Sequence, residues 1–318
     1  MENTAVQRDI VNLAAVNLRA VWGDKAQNLR RILDYTVAAA RRGADIITFP
    51  ELALTGYEDQ PDTPLSEKMH HRLAETAGGP SIAAVADCCR QLGVYVVFGL
   101  PERDPATGAV YNAAAVCGPD GPLGIYRKMH PAGDESLWCQ KGEQPLLFST
   151  PWGPVGVGIC YDSYSFPELL RYYAASGARL YLNPTAMPEN HRRESRSFYR
   201  DTLYAAVHQN DIFLVSANLV SEDVIDPGYR WRLPAGPGIP QPATFLGGSL
   251  VIGPGFGRRV HLYAGSPRHC EAELVLTTVD LSLSNRTIYS QNPYTGTPDF
   301  RPECYQQLYG ELARRQGR

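Results

Sequence analysis

The chain has 318 residues, 44% hydrophobic and 20% charged, with a formal net charge of −3. This size and composition predict a globular protein with a substantial core, and the mixed charges argue against nucleic acid or an anionic membrane as partner. No apolar run reaches the roughly 20 residues of a membrane helix, and the first ten residues do not resemble a secretory signal. We therefore expect a cytoplasmic protein that acts on a small molecule or binds another protein.

Seven cysteines are scattered along the chain, with no pair at C-x-x-C spacing and no histidine cluster nearby. An odd number of cysteines at irregular spacing argues against a disulfide framework, and the missing pair argues against a zinc site. We expect no metal ion.

The first half of the chain alternates strand and helix patterns. Residues 11–20 read as a strand, and the next helix opens with Asp24 and Gln27 at capping-box spacing and closes near Gly43. The short apolar segment IITFP is a buried strand that ends at Glu51. Further elements are predicted as a helix at 81–93, a strand at 94–102, and two strands within 111–128 joined by a turn at 118–121.

The second half continues the same alternation. The predicted elements are a hairpin within 146–160, a helix at 166–178, a strand at 179–184, a helix at 194–209, and strands at 211–219, 247–253 and 273–281. This order predicts an α/β protein whose sheets are covered by helices. We predict one domain over residues 1–318, with a Pro- and Gly-rich loop at 221–245 and an aromatic C-terminal tail at 285–318.

Three polar residues follow predicted strands. Glu51 comes after IITFP, Lys128 after the strand LGIY by one residue, and Cys160 at the end of VGVGI. Each has a structural alternative, because a cysteine after an apolar run is most often core, a glutamate there is often a cap, and a lysine is often solvated. In α/β folds, however, catalytic groups are usually presented just past strand ends.

The three residue types together suit hydrolysis of a carbon–nitrogen bond. A thiol needs a base to remove its proton, and a buried carboxylate such as Glu51 can have its pKa raised enough for that task. The oxyanion needs donors, which the Lys128 ammonium and the backbone N–H of Tyr161 could supply.

Three segments carry a resemblance to a known family: FPELALTGY around Glu51, YRKMHPAGDESLW around Lys128 and GICYDSYSFPELLR around Cys160. In this order they resemble the signature blocks of the nitrilase superfamily, the carbon–nitrogen hydrolases, over about residues 11–305. The resemblance implies a four-layer αββα sandwich, a Glu51–Lys128–Cys160 triad and no cofactor. It also implies a second, substrate-positioning glutamate at Glu135, with Asp134 as the neighbouring alternative.

Histidines allow a different nucleophile partner. His130 and His208 raise the possibility of a Cys–His pair, but neither lies in a local signature for one, and a lone histidine is more often structural. Asp162 is expected to fix the turn after Cys160 by accepting hydrogen bonds from nearby backbone N–H groups.

The residues after the cysteine bear on the substrate. Within the family that the sequence resembles, Cys-Tyr-Asp at 160–162 favours hydrolysis of a small amide or N-carbamoyl compound through a cysteine thioester. The alternatives are a nitrilase that makes an acid and ammonia from a nitrile, and an inactive binding or assembly protein on the same scaffold. Candidates for substrate contacts are Tyr57, Tyr161 and Met187.

The resemblance also implies at least a homodimer. The loop at 221–245 carries aromatic and arginine side chains at 229–232, and it is either solvated or folded over the mouth of the pocket, where it would select substrates.

Overall fold

The computed structural model describes residues 7–57, 63–188, 193–222 and 244–317. The chain divides into two compact units, Met1–Ser284 and Asn285–Arg318. The second unit begins where the aromatic tail was predicted to begin, while the single domain over 1–318 stays a prediction. Most of the loop at 221–245, including residues 229–232, lies outside the described residues.

Helices and strands of the described residues alternate much as the sequence predicts. The helices are α1 Lys25–Arg41, α2 Met69–Leu73, α3 Pro80–Leu92, α4 Tyr161–Ser165, α5 Pro167–Ala175, α6 Arg193–Asn210 and, in the second unit, α7 Pro302–Arg315. The strands are β1 Ile10–Asn17, β2 Ile46–Thr48, β3 Tyr95–Arg103, β4 Val110–Gly118, β5 Gly121–Arg127, β6 Leu146–Thr150, β7 Gly153–Val157, β8 Leu180–Thr185, β9 Phe213–Asn218, β10 Val220–Glu222, β11 Thr244–Leu246, β12 Leu250–Gly255, β13 Arg259–Gly265 and β14 Glu273–Asp280. No helix within the described ranges is long and apolar enough to cross a bilayer.

Two six-stranded sheets form the centre of the first unit. Their strand orders are β14-β1-β2-β3-β4-β5 and β13-β12-β9-β8-β7-β6. In each sheet three neighbouring strands are parallel, β1-β2-β3 in one and β7-β8-β9 in the other, and the outer pairs are antiparallel. The two sheets pack face to face, mainly through β1 against β9.

Helices cover the outer faces of both sheets. Helix α3 packs on β3, β4 and β5, while α5 and α6 pack on strands of the second sheet. The side chains between α1, α3 and the first sheet form a buried apolar cluster that includes Ile32, Val85, Ala14 and Phe49. The predicted four-layer αββα sandwich is confirmed.

Local sequence signals account for the first helix and for both predicted hairpins. The Asp24 side chain accepts a hydrogen bond from the Gln27 N–H at 2.9 Å and caps α1. Gly43 follows the end of α1 at φ +87°, a left-handed conformation that favours glycine. The hairpins β4–β5 and β6–β7 have the turns that the sequence predicts.

Several elements differ from the sequence prediction. The strand expected at 11–20 ends at Asn17, and the helix expected at 166–178 is preceded by a separate short helix, α4. The sequence analysis missed α2, β13 and α7. The second unit contains α7 and a small aromatic cluster in which the Phe300 ring contacts those of Tyr289 and Tyr305, with centroids 5.2 and 5.3 Å apart.

The carboxyl ends of the parallel strands meet at one end of the sandwich. Strand β5 runs in the same direction as β2 and β3, because two antiparallel pairings separate it from β3. Main-chain hydrogen bonds at that end join the sheets, from the Leu18 N–H to the Asn218 carbonyl at 3.3 Å and from the Val220 N–H to the Leu18 carbonyl at 3.1 Å. Residues that follow β2, β5, β7 and β8 are therefore brought to the same end.

Gly99 on β3 sets the position of the turn that follows β2. Its N–H donates to the Pro50 carbonyl at 3.1 Å, and its carbonyl accepts from the Leu54 N–H at 3.1 Å. A Cβ at Gly99 would lie 2.2 Å from the Leu52 nitrogen, so a larger residue cannot fit unless the turn moves. Two backbone hydrogen bonds to Gly99 thus hold the turn that carries Glu51 against β3.

We expect Gly99→Ala to lower the free energy of unfolding by about 1–3 kcal/mol, because the added methyl group displaces packed backbone. Urea unfolding of the variant measures this loss. Gly78→Ala is the matched control, since a Cβ there meets nothing within 4 Å, and it should stay within about 0.5 kcal/mol of the parent protein. Equal stability of the two variants would contradict this account of Gly99.

Candidate active site

Glu51 lies in the turn after β2, with its side chain fully buried. Its Oε1 accepts hydrogen bonds from Lys128 Nζ at 2.6 Å and from Asn112 Nδ2 at 2.8 Å. Its buried Oε2 has no hydrogen-bond partner among the described residues. One oxygen of this carboxylate is therefore anchored, and the other is left to accept a proton.

Lys128 follows β5 and is also fully buried. Its backbone is held by hydrogen bonds from its N–H to the Asn112 carbonyl at 2.8 Å and from the Gly142 N–H to its own carbonyl at 2.7 Å. Its Nζ donates to Glu51 Oε1 and, at 2.8 Å, to Glu135 Oε1. An ammonium group has three N–H donors, so a third remains after these two bonds.

Glu135 lies in the short 3₁₀ helix Gly133–Leu137 and is buried, whereas Asp134 beside it is exposed. Its Oε1 accepts from Lys128 Nζ and from the Tyr57 hydroxyl at 2.7 Å, and its Oε2 accepts from the Ala132 N–H at 3.1 Å. Of the two acidic residues that the sequence offered, Glu135 is the one joined to Lys128. Its role in positioning substrate stays a prediction.

The pKa values of Glu51 and Lys128 differ from those of the same groups in water. Burial raises the pKa of Glu51 to about 7, against the opposing attraction of Lys128. Burial alone would lower the pKa of Lys128, but attraction to Glu135 and Glu51 outweighs it and holds that pKa well above its ordinary value. The lysine therefore stays charged, while the glutamate can take up and release a proton near neutral pH.

Cys160 follows β7 and is the N-cap residue of α4, with φ +49° and ψ −102°. A positive φ is uncommon for a residue with a side chain. Its N–H donates to Asn183 Oδ1 and to the Pro184 carbonyl, both at 3.0 Å, and these bonds hold the strained residue against β8. The sharp turn presents the thiol at the edge where Glu51 and Lys128 also lie.

The Cys160 sulfur is buried and is affected by both charged groups. Burial and the Glu51 charge raise the pKa of the thiol, while Lys128 and hydrogen bonds from the Thr185 side chain and the Ala186 backbone oppose the increase. Because Tyr161 is the first residue of α4, its N–H has no acceptor within that helix. Because its pKa is raised, the Cys160 thiol is protonated at neutral pH and needs a base for ionisation.

Asp162 anchors the turn after Cys160, as the sequence analysis expected. Its Oδ2 accepts from the Ile159 N–H at 3.1 Å and from the Tyr126 hydroxyl at 2.8 Å, and its Oδ1 accepts from the His130 N–H at 3.0 Å. The His130 ring also contacts Oδ1 through Nδ1 at 2.8 Å. This buried carboxylate thus ties the cysteine turn to the segment that follows Lys128.

Neither histidine suggested by the sequence forms a pair with the thiol among the contacts of the described residues. His130 is engaged by Asp162, and its ring stacks on Phe166 with centroids 3.5 Å apart. His208 is exposed on α6. Among the residues that the structure describes, no group of three or more His, Cys, Asp or Glu side chains is placed to hold a metal ion.

The three candidates for substrate contacts lie in different surroundings. Tyr57 donates to Glu135, and its ring meets Phe245 edge-on with centroids 5.7 Å apart. Met187 is half-buried, and its backbone contacts Asn218 and Leu246. The Tyr161 side chain is 37% exposed. Their contacts with substrate stay predictions.

Asn112 and Thr185 are polar residues of the site that the sequence analysis did not single out. Asn112 lies on β4 and donates to Glu51, and Thr185 is the last residue of β8 and hydrogen-bonds to the Tyr164 hydroxyl. Both are fully buried. The sequence signal that could have identified both residues is a side-chain amide or hydroxyl within an apolar strand, in the segments YNAA and LYLNPT.

The chain is similar to known proteins over most of its length. Residues 12–289 match the model of the carbon-nitrogen hydrolase family. A protein named probable nitrilase from Schizosaccharomyces pombe is 29% identical over 303 residues, which cover 93% of this chain and 98% of that protein. N-carbamoylputrescine amidase from Solanum tuberosum is 29% identical over 259 residues, covering 79% of this chain and 81% of that enzyme. The crystal structure of an amidase from Nesterenkonia sp. superimposes with a TM-score of 0.71 at 22% identity, covering 97% of this chain and all of that one.

Lys128→Met should lower the free energy of unfolding by about 3–5 kcal/mol, because it leaves two buried carboxylates without their cation. The pKa of Glu51 should rise further, so the folded variant binds protons more tightly than the unfolded chain. Its unfolding free energy should therefore fall as pH rises and recover as pH is lowered. Denaturant unfolding at two pH values measures both effects. Lys141→Met removes an exposed lysine as control; a similar loss there would contradict the assigned role of Lys128.

Proposed function

The chain belongs to the carbon-nitrogen hydrolase family, and on this premise we propose that it hydrolyses a small amide or N-carbamoyl compound through a thioester on Cys160. The observation that carries the proposal is the buried network in which Lys128 joins Glu51 and Glu135. Cys160 lies within the electrostatic reach of Glu51 and Lys128. Lys128 stays charged and Glu51 can exchange a proton near neutral pH, as the proposed steps require.

The first step is attack of sulfur on the carbonyl carbon. Glu51, through its unpartnered Oε2, accepts the thiol proton as the carbon–sulfur bond forms. The third N–H of Lys128 and the N–H of Tyr161 donate to the oxyanion.

The second step is departure of the amine or ammonia. Glu51 returns the proton to the nitrogen as the carbon–nitrogen bond breaks, and a thioester on Cys160 remains. Glu51 then removes a proton from water, the hydroxide attacks the thioester, and the proton passes to the departing sulfur. The products are a carboxylic or carbamic acid and an amine or ammonia, and both Cys160 and Glu51 return to their initial states.

A nitrile is the second candidate substrate. It is favoured by the similarity to the protein named probable nitrilase, which the alignment covers almost completely. The amide is preferred because Cys160 is followed by Tyr161 and Asp162, the pattern that the sequence analysis associates with amide hydrolysis. Ammonia release from short nitriles beside the matching amides discriminates the two, and faster release from nitriles would reverse the preference.

The expectations of a cytoplasmic homodimer or larger homo-oligomer, and of a substrate-selecting loop at 221–245, stay predictions. An inactive assembly protein is the remaining alternative. It would be favoured if no amide, N-carbamoyl compound or nitrile were turned over and a thiol reagent labelled Cys160 no faster than the other six cysteines.

Cys160→Ala should lower kcat/KM for an accepted amide by more than about 10⁴-fold, because no other group forms the thioester. Acid quenching of the parent protein during turnover should trap an adduct on Cys160, which mass spectrometry of the intact protein detects. The added mass identifies the acyl group and separates amide from N-carbamoyl substrates. Cys88→Ala, which removes a half-buried thiol on α3, is the control and should retain activity. Wild-type turnover by Cys160→Ala would overturn the proposal.

The pH dependence of kcat/KM should show an acid limb with an apparent pKa near that of Glu51, about 7. Activity falls below that pH because only the carboxylate form accepts the thiol proton. Asn112 donates to Glu51 and lowers its pKa, so Asn112→Leu should move the limb to higher pH. Rates between about pH 5 and pH 9 measure it.

Asn210→Leu is the matched control for this shift. Asn210 is a buried asparagine at the end of α6 whose side chain donates to the Ala206 carbonyl. Its loss should leave the limb in place. A limb that moves equally in both variants, or in neither, would contradict the role given to Asn112.

A further inference from the structure

The side chain of Asn183, on β8, contacts the Cys160 turn from below and is fully buried. Its Oδ1 accepts two hydrogen bonds, from the Cys160 N–H at 3.0 Å and from the Ser163 hydroxyl at 2.7 Å. The Ser163 N–H in turn donates to the Cys160 carbonyl at 2.9 Å. A single oxygen atom of β8 therefore holds both the residue before α4 and the third residue of that helix.

The Asn183 amide has only one orientation that satisfies these partners. A backbone N–H can only donate, so the atom 3.0 Å from the Cys160 nitrogen is the carbonyl oxygen. The amide nitrogen Nδ2 then donates to the Tyr164 hydroxyl at 3.3 Å and to Ser216 Oγ at 2.9 Å. Because Oδ1 accepts two bonds and both hydrogens of Nδ2 are used, the amide cannot turn without breaking buried hydrogen bonds.

Cys160 needs such support because it lies beyond the paired part of β7. The parallel pairing of β7 with β8 extends only to Val157 opposite Leu182. Cys160 has φ +49° and ψ −102°, and a conformation of this kind persists only where the surroundings fix it. The Pro184 carbonyl accepts the Cys160 N–H from the backbone of β8. The Asn183 side chain adds a second acceptor where the sheet ends.

We infer that Asn183 is a positioning residue for the nucleophile, which holds Cys160 in its positive-φ turn and so keeps the thiol at the edge where Glu51 and Lys128 lie. The inference rests on the proposed role of Cys160 as nucleophile. Asn183 acts through the Cys160 backbone and exchanges no proton. Its contribution is to keep the distance between the thiol and its base constant before attack.

The same two acceptors determine which backbone group serves the oxyanion. The Cys160 N–H is committed to Asn183 and Pro184. The donors to the oxyanion are therefore the Tyr161 N–H and Lys128, as the proposed mechanism requires. Loss of the Asn183 acceptor would allow the Cys160 backbone to relax, which changes both the position of the thiol and the direction of the next N–H.

The test is Asn183→Leu, which keeps the approximate shape of the side chain and removes the acceptor. Misplacement of a reacting group by about 1 Å lowers a rate by about 100-fold, so kcat should fall by about this factor. The change lies behind the thiol, so KM should stay within about threefold. Hydrogen exchange of the peptide over residues 158–164, followed by mass spectrometry, should become faster. Asn183→Ala removes the same acceptor with a smaller side chain and should give the same fall in kcat, so the test does not depend on the folding of one variant.

Asn17→Leu is the matched control. Asn17 is also fully buried, and its Oδ1 likewise accepts a backbone N–H, that of Ser249, at 2.8 Å. Its substitution should lower the free energy of unfolding but leave kcat per folded molecule and the exchange of residues 158–164 unchanged. Circular dichroism gives the folded fraction of each variant. An equal fall in kcat for Asn17→Leu and Asn183→Leu, or no fall in either, would overturn the inference.

Failure of the inference and failure of the proposed function give different results. Retained turnover in Cys160→Ala would refute the function, whatever the Asn183 variants do. If Cys160→Ala is inactive while Asn183→Leu and Asn183→Ala turn over as fast as the parent protein, only the role of Asn183 is wrong.

Discussion

The buried ammonium of Lys128 between two carboxylates is the interaction on which the site depends. A lone buried charge is strongly unfavourable, so a lysine with no exposed surface needs Glu51 and Glu135 within hydrogen-bond distance. The two carboxylates differ in how many of their oxygens accept hydrogen bonds. Glu51 is left with one unpartnered oxygen, whereas both oxygens of Glu135 accept hydrogen bonds. One carboxylate can therefore exchange a proton while the other holds the cation and a tyrosine in place.

The two sheets contribute different parts of the chemistry. The first sheet supplies the charged network after β2 and β5, and the second supplies the thiol after β7 and, on β8, the Asn183 and Pro184 oxygens that hold the Cys160 N–H. Asp162 links the two contributions, because it anchors the turn after Cys160 and also accepts the His130 N–H, two residues after Lys128. The relative position of Glu51 and Cys160 thus depends on packing between sheets as well as on local turns.

Much of the fold could be predicted from local patterns, and the site only in part. Apolar strands, Gly-containing turns and the Asp24 cap are local signals, and they correspond to the observed elements. The five residues of α4 were not predicted as a helix, since a single helical turn is too short to show an apolar periodicity. Strand β13 was missed because its edge position leaves it only partly buried and without a clear apolar alternation.

The candidate site shows the same division between local and distant signals. Glu51, Lys128 and Cys160 stand out in the sequence because each follows a strand, although their catalytic roles stay predictions. Asn112 donates a hydrogen bond to Glu51, which lies 61 positions earlier in the sequence, and no pattern within one strand reveals such a contact. The Cys160 N–H likewise donates to Asn183 Oδ1, a contact that exists only after β7 and β8 have paired in the second sheet.

The pairing of β14 with β1 has a consequence for how the molecule is made. These strands lie side by side with Ile10 opposite Asp280, so the first sheet gains its last strand only after nearly all of the first unit has been synthesised. Contacts between such distant residues form late, because the entropy of closing the intervening loop must be overcome first. An incomplete chain on the ribosome therefore lacks the edge strand beside β1, and the N–H and C=O groups along that edge stay open to other strands until β14 has emerged.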